Sequence, residues 1–278
     1  MDKDILRKVQ LIQLEITKDI VRVCEKNDIA YFLIGGTLLG AIRHKGFIPW
    51  DDDMDIGMLR TDYEKFIEIA PKELNHKYEL VNWKNDEYYP HPMAKVVKKG
   101  TVFRENKRKD KGKQGIWVDI FPYDYCENSE KKCRKRFFEL KAIRALIRAK
   151  CKYQTWTTCN GIDVKLFIKN IPFRIAAILF DKSMLIKKYE CISMQVEKSC
   201  WVYENGTENF GVWKFPIECL KKRKKVDFEG ESFFVPELYD EYLKKAYGDY
   251  MKLPPLKDRE NRHNIVELKF GDENVIDI

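Results

Sequence analysis

The sequence has no pair of cysteines at C-x-x-C spacing, although it contains eight cysteines in 278 residues. Zinc ribbons and redox-active dithiol motifs need such a pair, so neither is expected. The chain also has no run of about 18 uncharged apolar residues, the length a membrane-spanning helix requires. The nearest approach, 166–180, is interrupted by Lys169, Pro172 and Arg174. No signal peptide, internal repeat or low-complexity tract is visible, and we therefore expect a cytoplasmic protein.

The composition predicts a folded protein with anionic partners. Hydrophobic residues make up 44% of the chain, and its length allows one large domain or a core with an added subdomain. The formal net charge of +8 favours phosphorylated substrates, acidic lipid surfaces or nucleic acid. No nucleic-acid-binding motif accompanies the basic residues, so no nucleic-acid partner is expected.

Helical and strand periodicities mix along the chain, which predicts an α+β fold with a mixed sheet and a mainly helical middle subdomain. Thr37 is expected to cap a short helix. The spacing of Thr61 and Glu64 is that of a capping box, and 104–113 is expected to be a charged loop. The predicted elements are helix 5–23, strand 31–34, helix 38–44, strand 54–58, helix 63–70, strands 78–82, 93–97 and 116–121, helices between 129 and 199, hairpin strands 226–229 and 232–235, and helix 236–247.

Four acids crowd the segment Asp51-Asp52-Asp53-Met54-Asp55. Such carboxylates repel one another, and a protein tolerates them mainly where a cation neutralises the charge. Residues two apart share a face of a strand, so Asp53 and Asp55 point the same way. Hard oxygen ligands of this kind suit Mg²⁺ or Mn²⁺.

Two other interpretations of this segment are a calcium loop and a solvated acidic turn. The calcium loop fits poorly, because its sixth position is Ile56 instead of Gly and its twelfth is Asp62 instead of Glu.

A catalytic metal site needs another carboxylate and a phosphate-binding turn. Asp119, inside an apolar strand, is a candidate for the additional carboxylate; otherwise it would serve as a helix cap or as one member of an ion pair. Gly35-Gly36-Thr37, at a strand-to-helix turn, is a candidate for the phosphate-binding turn.

These segments resemble the LicD family. Residues 35–56, Gly-Gly-Thr-Leu-Leu-Gly-Ala-Ile-Arg-His-Lys-Gly-Phe-Ile-Pro-Trp-Asp-Asp-Asp-Met-Asp-Ile, are similar to its signature. Residues 117–122, Trp-Val-Asp-Ile-Phe-Pro, are similar to its second motif. Segments between 228 and 263, including Tyr-Gly-Asp-Tyr-Met and Leu-Pro-Pro, resemble its C-terminal part, whereas the helical middle matches least.

The resemblance implies a nucleotidyltransferase-like fold and transfer of a phospho-alcohol from a CDP-linked donor to a glycan hydroxyl. Phosphocholine from CDP-choline, with release of CMP, is the best-known case, and teichoic acid, lipopolysaccharide and other lipid-linked glycans are the acceptors considered. Phosphoribitol, associated with the fukutin group, and phosphoglycerol are the alternatives. We predict a catalytic core over 1–125, a helical subdomain over 126–205, and a segment over 206–278 that packs back on the core.

The expected roles follow from the chemistry of phosphoryl transfer, which needs charge neutralisation and positioning. Asp53, Asp55 and Asp119 are expected to hold Mg²⁺, or Mn²⁺, on the donor diphosphate, and Asp119 to help activate the acceptor hydroxyl. Gly35, Gly36 and Thr37 are expected to hold phosphate oxygens. Arg43 would steady the leaving phosphate or else pair with the acids, and His44 would bind substrate or else have a structural role. The other predicted substrate-binding residues are Trp50, Lys95, Trp117, Arg259 and His263.

Choline, as a permanent cation, binds best to aromatic faces. Six aromatic residues lie near the motifs, although such residues more often belong to a core: Trp50, Trp83, Tyr88, Tyr89, Trp117 and Tyr123.

Two hypotheses from other classes compete. A metal-dependent glycosyltransferase also uses an Asp-x-Asp pair, but only about fifty residues precede the pair here, which is short for its nucleotide-binding unit. A non-catalytic basic adaptor for membranes would rest on the Lys- and Arg-rich segment 131–152. That segment predicts a helix with a buried stripe of Phe138, Ala142, Ala145, Leu146 and Ala149, and its basic face either is solvated or docks on an acidic membrane.

Overall fold

The computed structural model describes every residue except 108–111, 159–160, 209, 261–262, 264 and 272–278. Helices and strands are interspersed through the described chain. In order they are α1 (Lys3–Lys26), β1 (Phe32–Leu33), α2 (Gly35–Arg43), β2 (Asp55–Leu59), α3 (Arg60–Glu73), β3 (Tyr78–Val81), β4 (Ala94–Lys98), β5 (Val102–Glu105), β6 (Trp117–Cys126), α4 (Glu130–Lys150), β7 (Thr157–Thr158), β8 (Gly161–Ile162), α5 (Val164–Ala176), a 3-10 turn (Ala177–Leu179), α6 (Lys182–Ser193), β9 (Trp201–Glu204), β10 (Lys214–Pro216), α7 (Glu218–Lys221), β11 (Arg223–Phe228), β12 (Glu231–Pro236), α8 (Tyr239–Tyr247), a second 3-10 turn (Leu256–Asp258) and β13 (Ile265–Lys269).

A mixed sheet forms the centre of the molecule, in the order β1-β2-β6-β4-β3. β2 and β6 run parallel, whereas the other pairs in the sheet are antiparallel. The ten-residue β6 pairs with β4 through its first half and with β9 through its second half. The expectation of a mixed sheet with packed helices is therefore confirmed.

Helix α1 packs against the sheet through apolar residues at helical spacing, since Val9, Ile16, Ile20 and Val23 are fully buried. The predicted hairpin is also present, as β11 and β12, and α8 ends at Gly248, which has φ +68°. Among the described residues, no helix combines the length and the apolar character that crossing a bilayer requires.

Two predicted caps are wrong. Helix α2 begins at Gly35, so Thr37 lies inside it, and the Thr37 hydroxyl instead accepts a hydrogen bond from the Asp55 amide (2.8 Å). Helix α3 begins at Arg60 without a side-chain cap. Thr61 is exposed there, and Glu64 pairs with Arg60 (2.9 Å), so the predicted capping box does not form.

Two further boundaries differ because tertiary pairing extends the strands. Pro236 ends β12, and the helix predicted to start there begins at Tyr239. Arg104, expected in a charged loop, lies in β5, which pairs with β13, and its guanidinium contacts Glu267 (3.0 Å). The rest of that predicted loop includes 108–111, outside the described residues.

The predicted stripe of α4 is also wrong. Phe138 is 51% exposed, and the residues that α4 buries are Cys133, Arg136, Leu140, Ile143, Arg144 and Ile147. The buried face includes two arginines, because the Arg136 side chain donates to the Tyr125 carbonyl (2.7 Å) and the Arg144 side chain donates to the Thr207 carbonyl (3.0 Å). Part of the basic segment therefore fastens α4 to the core.

Candidate functional site

The acidic segment 51–55 is fixed by two buried glutamines of α1. The Gln10 side chain donates to the Asp51 carbonyl, and the Gln13 side chain donates to the Asp52 carbonyl, both at 2.9 Å. A buried amide is stable only when it is hydrogen-bonded, so these two glutamines hold the backbone that carries the acids. The sequence signal for them is two polar residues on the apolar face of α1.

Parallel pairing of β2 with β6 brings the carboxylates together. Asp55 and Asp119 are direct register partners, and the Asp119 amide donates to the Met54 carbonyl (2.9 Å). Burial raises the pKa of Asp55 well above its usual value, and the charges of Asp53, Asp119 and Glu204 raise it further. Burial also raises the pKa of Asp119, against the lowering effect of Lys95. The site therefore concentrates negative charge where water is scarce.

The donor atoms of these residues suit a divalent cation. The Oδ1 atom of Asp119 is buried and accepts no hydrogen bond from the part of the chain that the structure describes, and it lies 3.5 Å from the Lys95 ammonium. Burial and the charge of Asp53 also raise the pKa of Asp51. Because hard carboxylate oxygens are the preferred ligands of Mg²⁺, the residues present fit the predicted ion.

His263 contacts the same cluster from the C-terminal part of the chain. Its Nδ1 atom lies 2.9 Å from Asp52, and its Nε2 atom lies 3.9 Å from Asp53. Burial opposes protonation of His263, but the hydrogen bond to Asp52 and the charges of Asp53 and Asp52 prevail and raise its pKa to about 10. One possible ligand atom each of Asp52, Asp53 and His263 lies within 4.8 Å of the others. His263 therefore fixes Asp52 and lies beside carboxylates that could hold a metal ion.

The glycine turn lies directly against the acids. Gly35 has φ +56°, and a Cβ atom on it would lie 3.1 Å from Asp55 Oδ2. A Cβ atom on Gly36 would lie 2.6 Å from Asp51 Oδ2, closer than real contacts allow. Glycine at position 35 is favoured by its backbone angle, and a side chain at position 36 would have to displace the Asp51 carboxylate.

Two cavities meet at the carboxylates. The larger, of about 670 Å³, is lined by Gly35, Gly36 and an aromatic group made up of Trp50, Trp213, Tyr247 and Tyr250. The smaller, of about 290 Å³, is lined by Asp119 and a basic group made up of His91, Lys95, Lys107 and His263. Asp53, Asp55 and Phe121 line both cavities. This arrangement allows two ligands to meet across the acids.

Of the other predicted residues, Arg43 and Trp50 line the larger cavity and Lys95 and His263 line the smaller one. The lining of these two cavities does not include Thr37, His44, Trp117 or Arg259. The Arg43 guanidinium donates to the carbonyl of Tyr250 (2.8 Å) and to His44 (3.0 Å). Burial, and then the charge of Arg43, lower the pKa of His44. The Arg259 guanidinium lies 5.4 Å from the Trp50 ring. The geometry thus gives His44 a structural contact and places Arg43 at the cavity wall.

Lys95 and Trp117 support the smaller cavity together. The Lys95 ammonium lies 3.6 Å from the centre of the Trp117 ring, and the Trp117 indole donates to Asp119 Oδ2 (3.2 Å). Both residues thus hold Asp119 in place from one side of β6.

A buried network at the larger cavity was not predicted. Glu204 lines that cavity and accepts a hydrogen bond from the Tyr123 hydroxyl (3.0 Å). The Tyr123 hydroxyl lies 3.1 Å from that of Tyr242, which accepts a hydrogen bond from the Gly35 amide (3.3 Å). The network therefore connects β9 with the glycine turn.

We expect Glu204→Gln to stabilise the protein in a pH-dependent way. Burial raises the pKa of Glu204 from 4.5 to about 7, against the lowering effect of the Tyr123 hydrogen bond. The folded state therefore binds more protons than the unfolded state between these values, and wild-type stability falls as the pH rises through them. Glutamine keeps the acceptor oxygen and removes the charge, so the variant should gain up to about 3 kcal/mol at pH 8 and little at pH 4. Urea unfolding at both pH values is the measurement, and an equal gain at both would contradict the assignment.

Comparison with known proteins identifies a matching family model and several similar proteins. Residues 28–158 match the family model described as LicD/FKTN/FKRP, nucleotidyltransferase domain. The chain is 33% identical over 267 residues to the lipopolysaccharide cholinephosphotransferase LicD of Haemophilus influenzae, which covers 95% of this chain and 97% of that protein. It is 46% identical over 48 residues to the human ribitol 5-phosphate transferase FKRP, covering 17% of this chain and 10% of that protein. An uncharacterized protein of Rickettsia typhi is 34% identical over 126 residues, or 45% of this chain and 38% of its own length.

Proposed function

The chain belongs to the LicD family and is a phosphotransferase, and we propose that it moves phosphocholine from CDP-choline to a hydroxyl of a lipid-linked glycan, releasing CMP. One observation carries the proposal: a cavity with aromatic walls and a second cavity that contains Asp119 share the carboxylates Asp53 and Asp55. Donor and acceptor can therefore reach the same charged centre from two sides. The family membership sets aside the glycosyltransferase and adaptor hypotheses.

We assign the diphosphate of the donor to the floor of the larger cavity. The N-terminus of α2 lies at Gly35 and Gly36, both of which line this cavity, and the amides of a helix N-terminus attract phosphate. Asp53, Asp55 and Asp119 would hold Mg²⁺, or Mn²⁺, which when bound neutralises the diphosphate and polarises the transferred phosphoryl group. A nucleotidyltransferase-like fold for the 28–158 region is part of this proposal.

We assign the acceptor hydroxyl to the smaller cavity. Asp119 lines it, and a carboxylate in this position is a candidate acceptor for the proton of the hydroxyl. Lys95, 3.5 Å from Asp119, would keep the carboxylate oriented toward the hydroxyl.

The choice of choline rests on the walls of the larger cavity. Trp213 and Tyr247, whose rings are 6.1 Å apart, line it together with Glu204. Aromatic faces beside a carboxylate are a favourable environment for a quaternary ammonium group. Phosphoribitol is the second candidate, because the family model includes FKRP. A polyol would have to use hydrogen bonds in place of these ring faces.

A thermal-shift panel of CDP-choline, CDP-ribitol and CDP-glycerol with Mg²⁺ tests the donor. We expect CDP-choline at a hundredfold excess over its dissociation constant to raise the melting temperature by about 5 °C or more. Trp213→Leu should reduce the CDP-choline shift and leave the smaller shift given by CMP unchanged. Stabilisation by CDP-ribitol alone would replace choline with ribitol, and no shift with any of the three would contradict the CDP-alcohol proposal.

A further inference from the structure

An apolar stripe faces solvent on α5 and the 3-10 turn that follows it. Val164, Ile168, Ile171, Ile175 and Ile178 recur at steps of four and three residues, the spacing that places side chains on one face of a helix. Such a face normally packs on a core, but these five side chains are between 38% and 75% exposed. We call these five residues, with the 81%-exposed Leu179, the α5 stripe.

The helix that carries the exposed α5 stripe is fixed to the rest of the molecule. The Asp163 side chain accepts a hydrogen bond from the Leu166 amide (2.9 Å) and caps the N-terminus. The Phe167 ring contacts the buried Trp156 ring at 5.3 Å, and the Arg174 guanidinium lies 5.0 Å from the same ring. The helix is therefore attached through its other side, and the stripe remains available to a partner.

The charges beside the stripe indicate the partner. Lys165 and Lys169 are exposed on α5, and Asp163, the one acidic residue in 162–180, is occupied as the cap. A helix with an apolar face and flanking lysines is typical of segments that lie in the surface of a bilayer. Anionic head groups attract the lysines, whereas a second copy of this chain would bring like charges together.

We propose that the α5 stripe docks the enzyme on an anionic lipid surface, with the apolar side chains inserted among the lipids and Lys165 and Lys169 at the head groups. Docking through α5 is distinct from docking through the basic face of α4, where Arg136 and Arg144 are buried and Lys131, Lys132, Arg134, Lys135 and Lys141 are exposed. The purpose of docking rests on the proposed function, since a lipid-linked glycan acceptor is presented at such a surface. The binding itself needs no donor.

Co-sedimentation of the full chain with vesicles tests this proposal. We expect binding to phosphatidylcholine vesicles that contain phosphatidylglycerol, and weaker binding to phosphatidylcholine alone. Ile178→Asp/Leu179→Asp should lower the partition coefficient by about tenfold or more, since it removes two inserted side chains and adds two repelled charges. Leu11→Asp, at an exposed leucine of α1, is the control with the same type of change and should bind like the wild type.

A second double variant tests the contribution of the two lysines to membrane binding. Lys165→Gln/Lys169→Gln should weaken binding to the anionic vesicles and leave binding to neutral ones unchanged, and salt should weaken the wild type in the same way. Circular dichroism melting of all variants verifies folding, which the exposure of the substituted residues should preserve.

Several outcomes would overturn the proposal. They are no wild-type binding to any vesicle at low salt, equal binding by the double aspartate variant, and a wild-type dimer in light scattering that the variant loses. The last would assign the stripe to self-association. The assay contains no nucleotide, so failure of docking and failure of transferase activity are separate results.

Discussion

Asp55→Asn should lower turnover by at least about a thousandfold, because metal-based charge stabilisation is worth several kcal/mol and each 1.36 kcal/mol is a factor of ten. The substitution keeps the shape of the side chain, and the backbone hydrogen bond from Asp55 to Thr37 does not involve the carboxylate. Steady-state release of CMP from CDP-choline is the measurement.

The same variant should be at least as stable as the wild type in the absence of metal. Asp55 is half-buried beside the like charges of Asp53 and Asp119, so removing its charge relieves repulsion. Asp227→Asn, at an exposed carboxylate in the hairpin, is the control and should change neither activity nor stability. Turnover by Asp55→Asn within threefold of the wild type would refute the metal site, and a lowered melting temperature would show that the lost activity reflects misfolding.

The largest loss of stability is expected from Arg60→Met. Arg60 forms two hydrogen bonds with Asp124, Nε to Oδ1 at 2.6 Å and Nη2 to Oδ2 at 2.8 Å, and Asp124 is 1% exposed. Methionine fills much of the same volume but leaves a buried carboxylate without its cation, which typically costs about 3–5 kcal/mol. Denaturant unfolding at pH 7 measures the change.

The surface pair Arg22–Asp19 provides the matched control for that experiment. Its contact distance is 2.8 Å, but the Arg22 side chain is 49% exposed, so Arg22→Met should cost less than about 1 kcal/mol. Arg60→Met/Asp124→Leu should recover most of the loss, because no unpaired charge remains. Equal effects of Arg60→Met and Arg22→Met would contradict the account of the buried pair.

Local sequence patterns predicted those features that depend on neighbouring residues. Asp53 and Asp55 were expected to share a face of a strand; β2 begins only at Asp55, but both residues line the same two cavities. The period of 3.6 in α1 predicts its buried face correctly. The glycine turn was recognised because Gly35-Gly36 follows an apolar strand, where no other residue type allows such close backbone approach.

Features that depend on distant pairing were not predictable in this way. Tyr123 contacts Tyr242 across 119 positions, and His263 contacts Asp52 across 211 positions. No local period marks such contacts, because they depend on how separate elements pack. The error in α4 has the same origin, since the buried Arg136 is held by groups outside the helix, the carbonyl of Tyr125 and the carboxylate of Glu127.

We propose that Asp53, Asp55 and Asp119 support metal-dependent transfer of a phospho-alcohol. Phosphorus NMR of the enzyme with CDP-choline, a lipid-linked glycan acceptor and Mg²⁺ follows this reaction through both of its products. We expect one CMP for each new phosphodiester on the glycan, with both products absent when a chelator removes the metal. Phosphodiester formation at the same rate with the chelator present would contradict the proposal.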